Sequence, residues 1–298
     1  MKKNNPFSRL FMVVCFLFLY APILVLVVFS FNASKSNAVW AGFTLDWYAE
    51  LFRDRMIMEA LQTTLLVSVL AAVIATVAGT AAAIGFHNMK RRTRSVLLTV
   101  NNIPMTNADV ITGVSMMLLF VLAVDAWNGG LGSMLGIKWR LGFLTLLIAH
   151  ITFDIPYVIL SVMPKLRQLD PNIAEAAQDL GATSWYAFRK VVLPEIMPGV
   201  VNGMLIAFTM SIDDFVISYF TAGSGANTLS MVVYSMVKKR ISPEINALST
   251  LMFVAVLALL IVINVRQSRQ DRLAHRKAAV LASPEAAILP GGGGEDEE

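Results

Sequence analysis

The sequence predicts an all-α membrane protein with six transmembrane helices. Of its 298 residues, 56% are hydrophobic and only 15% charged, with a mean hydropathy of +0.66. Soluble domains run nearer a quarter charged, so a water-exposed globule is excluded. Apolar stretches long enough to cross a bilayer, about 20 residues each, recur along most of the chain.

The first stretch, residues 10–31, follows Lys2, Lys3 and Arg9 as a signal sequence would. It is too long for a signal core and no small-residue cleavage site follows, so it reads as a retained anchor. The second covers 61–86. The third, 95–124, is interrupted by Pro104 and by the polar residues Asn101, Asn102, Thr106, Asn107 and Asp109. A broken helix is expected there, because irregular backbone survives at membrane depth only when buried in protein or lining a wet cavity. The fourth, fifth and sixth cover 141–163, 200–221 and 247–265.

Basic residues orient this bundle. One alternating set of segments holds Lys2, Lys3 and Arg9, the run Lys90 to Arg94, then Lys165, Arg167, Arg189 and Lys190, and the residues from Arg266 to Lys277. It carries twice as many cations as the other set, which holds Lys35, Arg53, Arg55, Lys138, Arg140, Lys238, Lys239 and Arg240. By the positive-inside rule both termini are cytoplasmic. The organisation is therefore a cytoplasmic N-terminus over 1–9, a transmembrane domain over 10–265 and a cytoplasmic tail over 266–298. That tail ends in Gly-Gly-Gly-Gly-Glu-Asp-Glu-Glu and is too polar to order itself. The net charge of +4 is a small excess scattered between apolar runs, which argues against nucleic acid as a partner. With Cys15 the one cysteine, no intrachain disulfide and no cysteine zinc cluster can form.

The cytoplasmic loop over 170–199 is long enough to need structure of its own. Asp170 as N-cap with Pro171 at the first helical position predicts a helix over 172–180, ended by Gly181. Thr183 or Ser184 caps a second helix through Val192, which Pro194 stops. Ala174, Ala176 and Ala177 lie beside Glu175, Gln178 and Asp179, so a partner's backbone can approach closely while the acids fix its orientation. Trp185, Phe188, Val191 and Val192 supply an apolar face for the ends of the membrane helices. On pattern alone, an amphipathic loop lying at the interface fits as well.

Glu175-Ala176-Ala177, Gly181 six positions after the glutamate, Phe188, and Leu193-Pro194 together resemble the EAA signature of binding-protein-dependent ABC-importer permeases. The resemblance covers roughly residues 19–260. Within it, Ser211-Ile-Asp213-Asp214, Tyr234-Ser-Met and Ser242-Pro-Glu-Ile-Asn-Ala-Leu248 are similar to the putrescine and spermidine permeases. Ala108 stands where the family pattern has proline, and Asp154 where it has an uncharged residue. The resemblance implies the MetI-like permease fold in the bacterial inner membrane and a coupling helix that docks in a groove of a cytoplasmic ATPase. Glu175, Ala176, Ala177 and Gly181 would make or permit that contact, with Phe188, Leu193 and Pro194 completing the motif. It further implies a second, different permease subunit, two ATPase subunits that bind ATP and Mg, a periplasmic solute-binding protein, and a polyamine as cargo.

Asp109, Asp154, Asp213 and Asp214 fall within predicted spans, where a carboxylate costs about 2.5 to 3.5 kcal/mol and normally faces protein or water. On a continuous fifth helix Asp213 lies roughly 20 Å from the start at residue 200, with Asp109 at similar depth if its span begins near Ser95. A path for a polyamine needs carboxylates for the ammonium ends and aromatic or aliphatic walls between them. Phe208, Phe215, Tyr219 and Phe220 on the fifth span, with Phe153 and Tyr157 on the fourth, supply the walls. An ammonium over an aromatic face gains about 0.5 to 2 kcal/mol, enough to guide without trapping. The candidate pathway is thus Asp109, Asp213, Asp214, Phe208 and Tyr219. Adjacent helical residues diverge by about 100°, so only one of Asp213 and Asp214 faces the path while the other caps or contacts a neighbour.

His150 and Asp154, four apart on one face, could serve an acyltransferase or half a metal site, but a direct hydrogen bond between them inside the bundle is the expected role. The chain has no Gly-x-x-x-x-Gly-Lys-[Ser/Thr] phosphate loop, so it does not hydrolyse ATP by that mechanism. A transport subunit driven by a separate ATPase accounts for the Glu175 loop. A permease for another cationic or organic solute, or an ion-coupled carrier, is the rival reading.

Overall fold

The computed structural model describes residues 6–34, 39–170, 172–239 and 243–281. Lys2, Lys3, Lys35, Pro171, Arg240, Ser242 and the tail over 282–298 lie outside the described residues. The described residues are helical apart from loops and one isolated bridge between Asn32 and Phe43. Six helical stretches are long and apolar enough to cross a membrane.

Helix α1 (Pro6–Phe29) buries none of its apolar length; Phe18, for instance, is 80% exposed, as suits a helix facing lipid or another subunit. The short α2 (Asp46–Leu51) leads to α3 (Arg55–His87), whose N-terminus is capped by Asp54 accepting from the Met56 and Ile57 amides at 2.8 and 3.2 Å. The chain then runs through α4 (Arg91–Thr106), α5 (Asp109–Gly129), α6 (Leu131–Leu135) and α7 (Phe143–Gln168). The loop that follows holds α8 (Ile173–Asp179) and α9 (Ser184–Ala187). A π-helical turn (Phe188–Val192) joins α9 to α10 (Leu193–Asp213), followed by α11 (Val216–Thr221), α12 (Leu229–Lys239) and α13 (Pro243–Leu281).

The chain divides into two compact units, Met1–Val256 and Leu257–Glu298. In the first, α3, α7 and α10 pack on one another around Ala72, Ala75, Ala83, Val158, Ile159, Val162 and Ile196. Lipid offers apolar side chains no reason to leave it, so membrane helices associate through close contact of small residues. Gly79 on α3 shows this: a Cβ there would lie 2.8 Å from the Val158 Cβ on α7. Across the same helix, Ser161 donates to the Gly199 carbonyl of α10 at 2.9 Å and Asn202 donates to Ser161 at 3.2 Å. A second cluster of Trp47, Leu51, Ile57, Leu229, Val232 and Leu248 ties α2 and the start of α3 to α12 and the start of α13. In the second unit, α13 continues helical to Leu281, so 266–281 is helix where composition predicts disorder. The apolar boundary at 265 marks a change of solvent, and no helix stop signal accompanies it.

Two predicted spans are split. The third breaks at Asn107–Ala108, where Ala108 takes an extended conformation (φ −67°, ψ 133°), while Pro104 lies inside α4. Proline at position 108 is therefore not required for the break. Helix α4 buries no residue and α5 alone meets the length and apolarity of a span. Asp109 is consequently the first residue of α5, and the depth worked from a continuous helix starting near Ser95 does not apply. The fifth span breaks at Asp214, so Asp213 and Asp214 terminate one helix and introduce the next, replacing the premise of a single helix with diverging neighbours.

Candidate functional site

The loop after α7 forms as a helix, a glycine turn and a second helix. Asp170 accepts from the Asn172 amide at 2.9 Å but does not cap α8, which starts at Ile173 with Asn172 as its N-cap; Gly181 ends that helix with φ +88°, a conformation that side chains with a Cβ rarely adopt. Thr183 caps the second helix through the Tyr186 amide at 3.3 Å. Pro194 does not stop that helix. The backbone widens into a π turn, with the Leu193 amide donating to the Phe188 carbonyl, and absorbs the proline near the start of α10. Ser184 to Asp213 thus runs as one helical stretch of 30 residues.

Glu175, Ala176, Gly181 and Pro194 are exposed; Ala177, Phe188 and Leu193 are half-buried. Ala177, Leu180, Gly181, Ala182, Thr183, Tyr186 and Val191 line an open concavity of ≈ 480 Å³. Leu180, 91% exposed at its rim, and Trp185, its ring tilted against Phe188 with centroids 5.7 Å apart, leave a large apolar surface uncovered. The expectation that Trp185 packs under the membrane helices is corrected here: Ala187 and Ile196 are the buried residues, and Trp185 faces outward. The surface is apolar at Leu180, small-residued at Ala176 and Ala177, and acidic at Glu175.

The second candidate region surrounds the α10/α11 break. Asp214 caps α11, accepting from the Ser218 amide at 2.8 Å and the Ile217 amide at 3.3 Å, and from the Ser218 hydroxyl at 3.0 Å. Its side chain turns inward toward His150, with Oδ2 3.7 Å from Nε2. Asp213 is exposed. Tyr219, Phe215 and Tyr234 form a ring cluster beside the break, with centroids 5.4 Å apart for Phe215–Tyr219 and 4.5 Å for Phe215–Tyr234. Phe208 does not join them; it packs on the α3–α7–α10 core. Asp109, exposed at the start of α5, lies on a helix that packs against α11.

His150 and Asp154 are both buried but do not bond to each other. Ser211 bridges them, donating to Asp154 Oδ2 at 2.7 Å while standing 3.0 Å from His150 Nδ1. A hydroxyl has one proton, so His150 Nδ1–H donates to Ser211. The other ring nitrogen stands 3.1 Å from the Ser218 hydroxyl, whose one proton goes either to it or to Asp214 Oδ2. One buried relay thereby links α7, α10 and the cap of α11. Ser211, Ser218, Tyr234 and Ser230, whose hydroxyl donates to the Asp214 carbonyl at 2.6 Å, carry no spacing signal because they come from elements that only the fold brings together. Among the described residues, no group of three or more His, Cys, Asp or Glu side chains could hold a metal ion.

Residues 75–276 match the family described as binding-protein-dependent transport system inner membrane component. The chain belongs to that family. This permease is 43% identical over 254 residues to the putrescine transport system permease protein PotI of Escherichia coli K12, covering 85% of this chain and 88% of that one. It is 37% identical over 251 residues to the spermidine/putrescine transport system permease protein PotC of the same strain, covering 84% and 90%. Solved structures share the fold at low identity. A bacterial ABC transporter that imports the polysaccharide alginate matches at TM-score 0.64 and 16% identity, over 88% of this chain and 94% of that chain. The MetNI methionine transporter in an inward-facing conformation matches at TM-score 0.51 and 18% identity, over 78% and 99%. The permease is therefore a multi-pass inner-membrane transport subunit of the MetI-like fold and not an enzyme, which removes the acyltransferase reading of His150 and Asp154.

Proposed function

We propose that this permease carries a polyamine, putrescine or spermidine, inward across the membrane, with both termini cytoplasmic. A periplasmic solute-binding protein delivers the cargo. A second, different permease completes the path, and two ATPase subunits, which bind ATP and Mg, drive it through the loop over 170–199. Glu175, Ala176, Ala177 and Gly181 meet the ATPase, while Phe188, Leu193 and Pro194 join that contact to α10. Asp213 and Tyr219 face the cargo, Asp109 contributes to the path, Phe208 supports it from the α3–α7–α10 core, and Asp214 shapes it by capping α11.

The observation that carries this reading is the α10/α11 break, where an exposed carboxylate is followed by Phe215 and Tyr219, whose rings cluster with Tyr234 of α12. Carboxylate and ring together match an ammonium followed by methylenes. The similarity to PotI and PotC over most of each chain supports the same cargo class. Purification with its partners, identification of the binding protein's ligand and uptake of labelled putrescine and spermidine into proteoliposomes test it. Uptake should fall at least about tenfold in Asp213→Asn, as loss of a charge-assisted contact of about 1.4 kcal/mol or more requires. A binding protein loaded with a neutral or anionic ligand would overturn the polyamine assignment.

A further inference from the structure

One imidazole holds both sides of the break in the fifth span. His150 of α7 is 1% exposed, with Nδ1 3.0 Å from the hydroxyl of Ser211, at the end of α10, and Nε2 3.1 Å from that of Ser218, in α11. Each serine leads on to an acid. Ser211 donates to Asp154 Oδ2 at 2.7 Å, and the Ser218 hydroxyl lies 3.0 Å from Asp214 Oδ2. Asp154, His150 and Asp214 are thus joined in one line through single hydroxyls, each with one proton to give.

Counting protons along that line leaves two arrangements. In the first, an ionised Asp154 takes the Ser211 proton, a neutral His150 donates from Nδ1, and the bare Nε2 accepts from Ser218. Asp214 then keeps only its bonds from the Ile217 and Ser218 amides. One added proton reverses the far end wherever it resides. On the ring, it makes Nε2 a donor. On Asp154, it lets the acid donate to Ser211 and Ser211 donate to Nδ1, so that the ring carries its hydrogen at Nε2. In both cases Nε2 donates to Ser218, and Ser218 turns its proton to Asp214.

The ionisable groups around the relay are Asp154 and Tyr157 on α7, Asp213 at the end of α10, Asp214 ahead of α11, and Asp109 at the start of α5, which packs against α11. Helix α3, packed against α7 and α10, has no ionisable side chain between Glu59 and His87. Lys238 of α12 lies over the Tyr234 ring. Among the described residues no lysine or arginine forms an ion pair with these acids.

We propose that His150 is a positioning residue for cargo passage: with Asp154, Ser211 and Ser218 it forms a one-proton switch that sets the charge and hydrogen bonding of Asp214 at the α10/α11 break. Without the added proton, the acidic break attracts a cationic cargo at full strength. With it, a compensating positive charge stands behind the break and Ser218 is tied to Asp214, so the cation passes more slowly. This deepens the polyamine reading, and the direction of the effect rests on it.

Nitrogen-15 NMR of the histidine rings in the purified permease reads the switch directly. The chain has three histidines, and His87→Gln and His275→Gln identify the other two signals. At about pH 8 the His150 ring should carry hydrogen at Nδ1 and none at Nε2; at about pH 5.5 Nε2 should carry one. The second measurement uses proteoliposomes holding the full assembly, supplied with the loaded binding protein. Labelled putrescine taken up per ATP hydrolysed divides out the pH dependence of hydrolysis. That ratio should fall at least about threefold from the higher pH to the lower, as a unit charge introduced this close to the break requires. The double variant His150→Gln with Asp154→Asn keeps amides of similar size and binds no proton there, so its ratio should stay at the higher value throughout.

A purely structural His150 predicts a ratio that does not change with pH. Nε2 in the same state at both pH values, a ratio indifferent to pH while Nε2 changes, or an equal fall in the double variant overturns the switch and leaves the polyamine reading intact. No putrescine or spermidine uptake by the unaltered assembly at either pH overturns the polyamine reading, and with it the effect assigned to the switch, while the NMR result still decides the arrangement of protons.

Discussion

Ser211→Ala removes one hydroxyl and strands two buried groups. Asp154 is 0% and His150 1% exposed, and Ser211 is a hydrogen-bond partner of each. Asp154 Oδ1 already has no hydrogen-bond partner among the described residues, so the substitution leaves the whole carboxyl unpaired. A single interhelical hydrogen bond in a membrane protein is worth about 0.6 kcal/mol on average, because the unfolded chain in lipid also finds partners. Leaving a buried polar group without its bond costs more, about 1 to 3 kcal/mol, and a charged one more still. Two stranded groups, with some relaxation, give about 2 to 4 kcal/mol. The assay is equilibrium unfolding of the purified permease in mixed micelles, followed by tryptophan fluorescence. A second variant, Ser211→Ala with Asp154→Leu, removes the stranded acid and should return part of the loss, so that the two substitutions are strongly non-additive. A loss below about 0.6 kcal/mol, or simple additivity, would refute the view that Ser211 holds this relay together.

Three further outcomes follow from other parts of the molecule. Glu175→Lys should leave insertion and assembly intact yet lower ATP-driven uptake at least about tenfold relative to hydrolysis, since reversing a contact charge costs several kcal/mol; equal coupling ratios in proteoliposomes would remove Glu175 from the ATPase contact. Gly79→Ala places a methyl 2.8 Å from the Val158 Cβ and should destabilise the α3–α7 contact by about 1 to 3 kcal/mol, read as an earlier unfolding midpoint. Gly181→Val forces a β-branched residue to φ +88° at a cost of about 1 to 2 kcal/mol, and should weaken co-purification of the ATPase while the midpoint for the membrane helices stays unchanged.

The spans were legible because a bilayer demands length and apolarity, and a sequence displays both directly. Residues 61–86 fall inside α3, and 141–163 overlap α7 from Phe143 onward, for that reason. The glycine turn and second helix of the loop were legible from Gly181 and Thr183, each of which acts on backbone groups within a few positions of itself, whereas the first helix starts at Ile173 behind Asn172 and not behind Asp170. The breaks were harder. Pro104 and Pro194 look like stops, yet each sits inside a helical stretch, because the missing proline amide can be absorbed by a π turn or by a helix otherwise well bonded. Asp214 ends the fifth span instead, through side-chain bonds to the Ile217 and Ser218 amides that compete with helical bonding. The Ser211 bridge between His150 and Asp154 was not legible at all. It lies 61 and 57 positions away, and only the packing of α7 on α10 brings it there.

The π turn at Phe188–Val192 has a mechanical meaning. Because the backbone keeps its bonding through Pro194, the stretch from Ser184 to Asp213 has no hinge of the kind a helix stop would create. A push applied at Ser184 would travel along a rod of roughly 45 Å to the acidic break, softened at the wide turn and at Pro198, which has no amide to bond within the helix.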